Sequence, residues 1–453
     1  MFVISKSFKK NVSAIFAVMM IFAGCAAESK VEESKSEEEK TEQSKKETKT
    51  EESTTESSKT SSSRTIKLSD LPVGFAGVTA QTGTGTTVST REELLKAVSK
   101  GGLIYVSGTI DMSGGMLPSE AGGSTSALDA FVAEKSKGKF ADYADFKKKY
   151  AENCSSSTND KSSSSPESSL GSEMWNLNRK YGDVIKLKIK SNTTIIGLEN
   201  AVIKGGTIQI SGVSNVIIRN ITIQDGYDPF PHHEKNDGFN AQWDNIAVAD
   251  SAKNIWIDRC TLEDTMKYSS DETSSGSEKW QTYDGLCDIT KSAKNVTVSY
   301  CVFKNHDKTM LIGSSSSDVS GGNITIHHNR FLNCGQRLPM TAYPNMHIFN
   351  NSYERDSNAF YKQQACIAAR YAKYTIIAEN NYFGNGVTKC ITASTSASGK
   401  CYEDGNVYES GRCALSTQDE KPFEVSYAYT LDKASKIKDI VAENAGAGNT
   451  LAE

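Results

Sequence analysis

From Asn215 onward the chain repeats one short polarity pattern. An asparagine is followed by apolar residues at +1 and +3, by Asn or Cys at +6, and by an apolar residue at +8. The units are NVIIRNITI from Asn215, NIWIDRCTL from Asn254, NVTVSYCVF from Asn295, NITIHHNRF from Asn323 and NMHIFNNSY from Asn345, with a looser YTIIAENNY from Tyr374. Only the first places an aliphatic residue, Ile221, at +6. Each unit reads as a short strand, a polar or small corner and a second short strand. Successive starts lie 22 to 41 residues apart, so the intervening loops vary in length while the core unit does not.

This periodicity predicts an all-β chain folded as a right-handed parallel β-helix, a single-stranded solenoid with short capping helices and long loops. Like side chains then stack on like, and Asn329, Asn351 and Asn380 are expected to hydrogen-bond along one inward column. Cys260 and Cys301 share that register, either as packed small residues or as a disulfide. A propeller or a sandwich would also use short strands, but neither calls for the corner asparagine.

Other patterns bound the repeats. Thr90 with Glu93 forms a capping box ahead of LLKAV and predicts a short helix. The closing SKIKDIVAENAGAG, after Asp432, predicts a helix covering the open end of the stack. Residues 112–177 lack clear periodicity and are rich in Ser and Lys, including SSSTNDKSSSSPESS, so they are expected to be a loop-rich insertion.

Composition changes the picture mainly at the N-terminus. Lys6, Lys9 and Lys10 precede an apolar run from Val12 to Ala23 that is short for a bilayer span. The run ends in FAGC, so residues 1–24 read as a lipoprotein signal peptide with Cys25 as the lipidated residue. An ordinary secretory signal with an incidental cysteine is the other reading. Residues 25–65 are almost wholly Glu, Lys, Ser and Thr and are expected to be a disordered tether. Residues 66–453 would then form one domain on the outer face of a bacterial cell, bound to the membrane only through its anchor, or secreted if the cysteine is not used. The net charge of −4 gives no sign of nucleic-acid binding. Nine cysteines besides Cys25 leave disulfide pairing open.

The candidate chemistry lies in the long loops. YDGLCDI holds Asp284 and Asp288, which an ideal strand would keep about 13 Å apart. A bend at Gly285 would let them converge, because Asp-Gly favours a turn through positive φ. Asp244 precedes its repeat by a similar interval, so the three carboxylates could share neighbouring coils. A hard oxygen site of that kind suits Ca²⁺ better than Zn²⁺. The competing reading is that each aspartate caps a turn. His306 and Lys308 in NHDKTMLIG, and Arg337 in GQRLPM, add cationic groups suited to an acidic substrate. The adjacent pairs His232–His233 and His327–His328 would point to opposite strand faces, which argues against chelation.

The ordered series NVIIRNITIQD, WDNIAV, NIWIDRC, DGLCDIT, NVTVSY, NHDKTMLIG, NITIHHNRF, QRLP and HIFNN resembles the pectate lyase family (polysaccharide lyase family 1), over essentially Gly74 to Gly448. The resemblance implies a calcium-dependent lyase that cleaves α-1,4-linked polygalacturonate by β-elimination to 4,5-unsaturated oligogalacturonides. It implies Asp244, Asp284 and Asp288 as Ca²⁺ ligands, Lys308 as a partner of the substrate carboxylate and Arg337 as the general base. A guanidinium stays protonated to above about pH 12, so activity is expected on the alkaline side. The family's second arginine, five residues after the base, is here Ala342, and Arg370 is the candidate replacement for substrate binding. A metal-independent pectin lyase and a non-catalytic, surface pectin-binding β-helix are the alternatives. A polygalacturonase would need a GHG-type motif, and none occurs. The chain is expected to act as a monomer.

Overall fold

Apolar residues at +1 and +3 of each repeat can all face one interior only if every repeat is one turn of a coil. A computed structural model describes residues 64–452 other than 156–168, 235–237, 267–278, 372 and 395–397. The signal segment, Cys25, the tether to residue 63 and most of SSSTNDKSSSSPESS lie outside the described residues. The described chain forms a parallel β-helix of three sheets. Each coil visits them in the same order, as in Lys253–Asp258 on the first sheet, Thr261–Glu263 on the second and Cys287–Ile289 on the third. The first sheet has ten strands and the other two nine each.

The register carries the sequence pattern directly. Ile218, Ile257, Val298, Ile326 and Ile348 stack as one inward column, and Val216, Ile255, Val296, Ile324 and Met346 as the next. On the second sheet Phe303, Phe331, Tyr353, Phe383 and Tyr408 form an aromatic column with ring centroids 4.6–5.0 Å apart. That distance matches the spacing between hydrogen-bonded strands, so each ring rests flat on the one below.

The leading asparagine has a backbone reason. Asn192, Asn215, Asn254, Asn295, Asn323 and Asn345 all take φ between 55° and 59°. Asn tolerates that left-handed conformation better than other residues with a side chain, and its amide can bond to the next coil. Asn215 donates to Asn192 at 3.0 Å, Asn323 to Asn295 at 3.1 Å and Asn345 to Asn323 at 2.8 Å. The corner column differs from expectation at one place. Asn329, Asn351, Asn381 and Asn406 form it, each amide donating to the next at 3.0 Å. Asn380 instead occupies the preceding left-handed corner at φ 48°. The last repeat is shifted by one residue, because Met346 pairs with Ile376 and so Asn345 aligns with Thr375 rather than Tyr374. Cys260 and Cys301 sit in the column as free thiols, and all nine cysteines of the described chain are unpaired.

Two expectations about the helices are corrected. Helix α1, Arg91–Lys100, carries the capping box and packs Leu94, Ala97 and Val98 into the main core, so it closes the N-terminal end. The insertion is mainly helical, with α2 at Thr125–Lys135, α3 at Tyr143–Ser155 and α4 at Ser169–Ile185. Leu128, Phe131 and Val132, Phe146 and Tyr150, and Met174, Leu177 and Tyr181 recur at helical spacing and form a second core with Phe230, Phe239 and Trp280. The C-terminal helix α5, Ala434–Asn444, does not cover the open end. Ile437 and Val441 pack against Tyr382 on the flank of the second sheet.

Candidate active site

The third sheet and the loops that lead into it bring the predicted acids together. Ile246 pairs with Cys287 and Ala247 with Asp288, which sets Asp244 opposite Gly285 on the neighbouring coil. The Gly285 N–H donates to Asp244 Oδ1 at 2.9 Å, and the Leu311 N–H donates to Asp288 Oδ1 at 2.9 Å. Gly285 does not take the positive φ expected of an Asp-Gly bend. It is required for space: a Cβ there would lie 2.5 Å from Asp288 Oδ1 and 2.7 Å from Asp244 Oδ1. The two carboxylates therefore converge over a bare glycine backbone.

Asp284 is placed differently. Its carboxylate pairs with Lys308 at 3.1 Å, and Lys308 also donates to Asn240 Oδ1 at 2.6 Å. Consequently no three His, Cys, Asp or Glu side chains among the described residues stand grouped as a ready metal cage. Convergence of carboxylates holds for Asp244 and Asp288, while Asp284 is ion-paired with Lys308.

The electrostatics make that pair unusual. Burial pushes the Asp288 carboxyl up to about 7, and the negative Asp284 adds to the shift against the pull of Arg337 and Lys308. Asp244 is pushed well above the usual carboxylate range by burial and then by Asp288 and Asp284. Two carboxylates brought together away from bulk water favour a proton or a cation between them. An all-oxygen donor set of carboxylates fits a hard divalent ion such as Ca²⁺.

Lys308 and Arg337 belong to the same surface. Gly285, Lys308 and Gln336 align across three successive coils, and Arg337 follows at φ 60°, ahead of the cis bond between Leu338 and Pro339. Arg337 Nε is buried without a hydrogen-bond partner. A cleft of about 280 Å³ continues past Asp244 and is lined by Gln209, Gln242, Trp243, Thr290 and Lys291 among others.

Arg370 lies on the next coil. Thr341 pairs with Ala369, so Arg370 follows in register with Ala342. Its guanidinium sits 4.4 Å from the centre of the Tyr371 ring and donates to the Tyr371 hydroxyl. Ala342 itself is fully buried.

Sequence reasoning passed over the residues that hold this site in place. Asn240 follows Phe239, which packs against Trp280 at 4.6 Å in the helical insertion's core. Asn178 of α4 donates to both oxygens of Asp228 at 3.1 Å, and the Phe230 and Gln242 N–H groups donate to the same carboxylate. Burial nevertheless raises Asp228 to about 7. None of these residues falls in a repeat, so no periodic signal marks them. His327 and His328 do not point apart. The left-handed corner at His328 brings their Nδ1 atoms to 2.8 Å, and His328 stacks on Tyr300.

Comparison with known proteins places this architecture. The sequence profile described as Pectate lyase matches residues 161–450. The chain is 34% identical over 280 residues to the pectate lyase of Bacillus subtilis, covering 58% of this chain and 66% of that protein. It is 39% identical over 178 residues to pectate lyase E of Dickeya dadantii, covering 38% and 44%. The matched segments thus span from under half to just under two thirds of these relatives' lengths. Among solved structures, a point variant of the Bacillus subtilis pectate lyase superposes with a TM-score of 0.67 at 27% identity, over 83% of this chain and 97% of that one. A pectate lyase bound to a hexasaccharide gives 0.66, also at 27% identity, over 83% and 96%.

Proposed function

The chain belongs to the pectate lyase family, and from that premise we propose that it cleaves α-1,4-linked polygalacturonate by calcium-dependent β-elimination. The observation that carries this reading is the convergence of half-buried Asp244 and buried Asp288 over Gly285, next to Lys308 and in reach of Arg337's electrostatic influence. Asp244, Asp284 and Asp288 would hold the ion. Bound there, Ca²⁺ supplies Lewis-acid polarisation of the substrate's C6 carboxylate, which acidifies the C5 hydrogen.

The chain's own residues do the rest. Lys308 presents a buried ammonium that pairs with a uronate carboxylate and stabilises charge as it develops. Arg337, as the neutral guanidine, takes the C5 proton. The freed electron pair forms the C4–C5 double bond, the C4–O bond breaks, and the leaving oxygen takes a proton from solvent water to become an alcohol. The products are an oligogalacturonide with a new reducing end and a 4,5-unsaturated one. Arg370, one coil beyond Ala342, would contact the carboxylate of a neighbouring sugar from its seat on Tyr371.

We further propose that Cys25 anchors a monomeric enzyme to the outside of the cell through the 25–65 tether. FAGC and the tether's composition support that placement.

Product mass is the discriminating test. Polygalacturonate digested in the presence of Ca²⁺ should yield, at each cut, an unsaturated fragment one water lighter than the corresponding hydrolysis product. Only saturated fragments, with none a water lighter, would replace elimination by hydrolysis, and no fragments would leave a binding protein.

A further inference from the structure

Behind the acids that face the cleft lies a second layer of buried polar groups. His306 and Asp264 are almost completely shielded from solvent, at 2% and 4% exposure. His306 Nδ1 lies 2.6 Å from Asp264 Oδ2, and His306 Nε2 lies 2.8 Å from the backbone carbonyl oxygen of Asp284. A carbonyl oxygen only accepts, so the His306 Nε2–H donates to Asp284, while Nδ1 bonds the Asp264 carboxyl. A parallel tie lies alongside: the Tyr283 hydroxyl donates to Asp225 Oδ1 at 3.1 Å, and Asp225 also accepts from the Thr265 N–H and hydroxyl.

His306 stands at a junction. Two residues later comes Lys308, which bridges Gly285 on the preceding coil and Gln336 on the next. One buried ring therefore links the turn that carries Asp284 and Gly285 to the segment that carries Lys308. Resting on the calcium reading above, we propose that His306, oriented by Asp264, is a positioning residue: it clamps the Asp284 carbonyl and so holds the Asp284–Gly285 turn against Asp244 for cation binding. Groups one step behind metal ligands typically set affinity by 10- to 100-fold.

The two ring nitrogens can be separated by substitution. In His306→Gln the amide nitrogen reaches the place of Nε2 and keeps the bond to the Asp284 carbonyl. In His306→Asn it reaches the place of Nδ1 and keeps only the bond to Asp264. Calcium titration calorimetry on the full chain is the readout, with thermal melting in EDTA to confirm that each variant is folded. His306→Asn should bind Ca²⁺ at least roughly 10-fold more weakly than the unsubstituted protein, and His306→Gln should recover most of that loss. Lyase activity of His306→Asn should return as Ca²⁺ is raised, because the reacting groups are untouched. If the unsubstituted protein binds Ca²⁺ and both variants bind it equally well, the clamp is overturned. If the unsubstituted protein binds no Ca²⁺, the calcium reading itself fails, independently of His306.

Discussion

At the scale of the residue, the site is a store of unfavourable charge. Asp288 has its carboxyl raised from an ordinary 3.8 to about 7, first by burial and then by Asp284. A folded-state pKa above the unfolded one stabilises the fold only while the group is protonated. That contribution is complete below about pH 4 and is lost as pH rises through about 7. Asp288→Asn removes the charge and keeps the shape. In EDTA the variant should melt higher than the unsubstituted protein at pH 7, and the gap should close towards pH 4. Added Ca²⁺ should raise the melting temperature of the unsubstituted protein and leave the variant's unchanged. Identical pH profiles for the two would remove the repulsion argument.

At the scale of the element, the repeat makes most of the fold legible and little of its support. Asn at the start of each coil, Ile and Val at +1 and +3, and Asn or Cys at the corner all follow from stacking identical turns. A reader of the sequence can therefore place the sheets without knowing the loops. Legibility fails where contacts are long-range and unrepeated. The helical insertion hides behind its Ser and Lys content, although Met174, Leu177 and Tyr181 carry a helical spacing. Helix α5 turns to the flank because Tyr382 and Val407 leave an apolar strip there. The segment leading to it is pinned by Glu379, which accepts from His347 at 3.0 Å and Tyr429 at 2.8 Å and pairs with Lys421 at 2.7 Å. Burial opposes its ionisation, yet these partners hold it down at about 2, against an ordinary 4.5. The resulting stability is present above about pH 4.5 and is lost as pH falls through about 2. Glu379→Gln should cost on the order of 2–3 kcal/mol at pH 7, read by denaturant unfolding, with the difference vanishing near pH 2. A constant difference down to acid would argue against a charged anchor.

At the scale of the whole molecule, the coil turns sequence distance into proximity. Asp244, Asp284, Lys308 and Arg337 are spread over four loops, yet successive coils set them side by side. The order of residues was readable as a set of acids and bases near one another, but their geometry was not. Gly285 was expected to bend the chain and instead clears room for two carboxylates. Asp284, expected beside the other two acids, also pairs with Lys308. His306 was visible beside Lys308, while its partner Asp264, 42 residues earlier, carries no local signal. The central claim is that this arrangement performs elimination only with calcium in place. Its most direct test is the ultraviolet absorbance of unsaturated product, followed as Ca²⁺ is titrated into EDTA-stripped protein with polygalacturonate. The account predicts no absorbance in EDTA and a saturable rise with Ca²⁺ that EDTA reverses. Absorbance that is absent at saturating Ca²⁺, or that persists undiminished in EDTA, would contradict it.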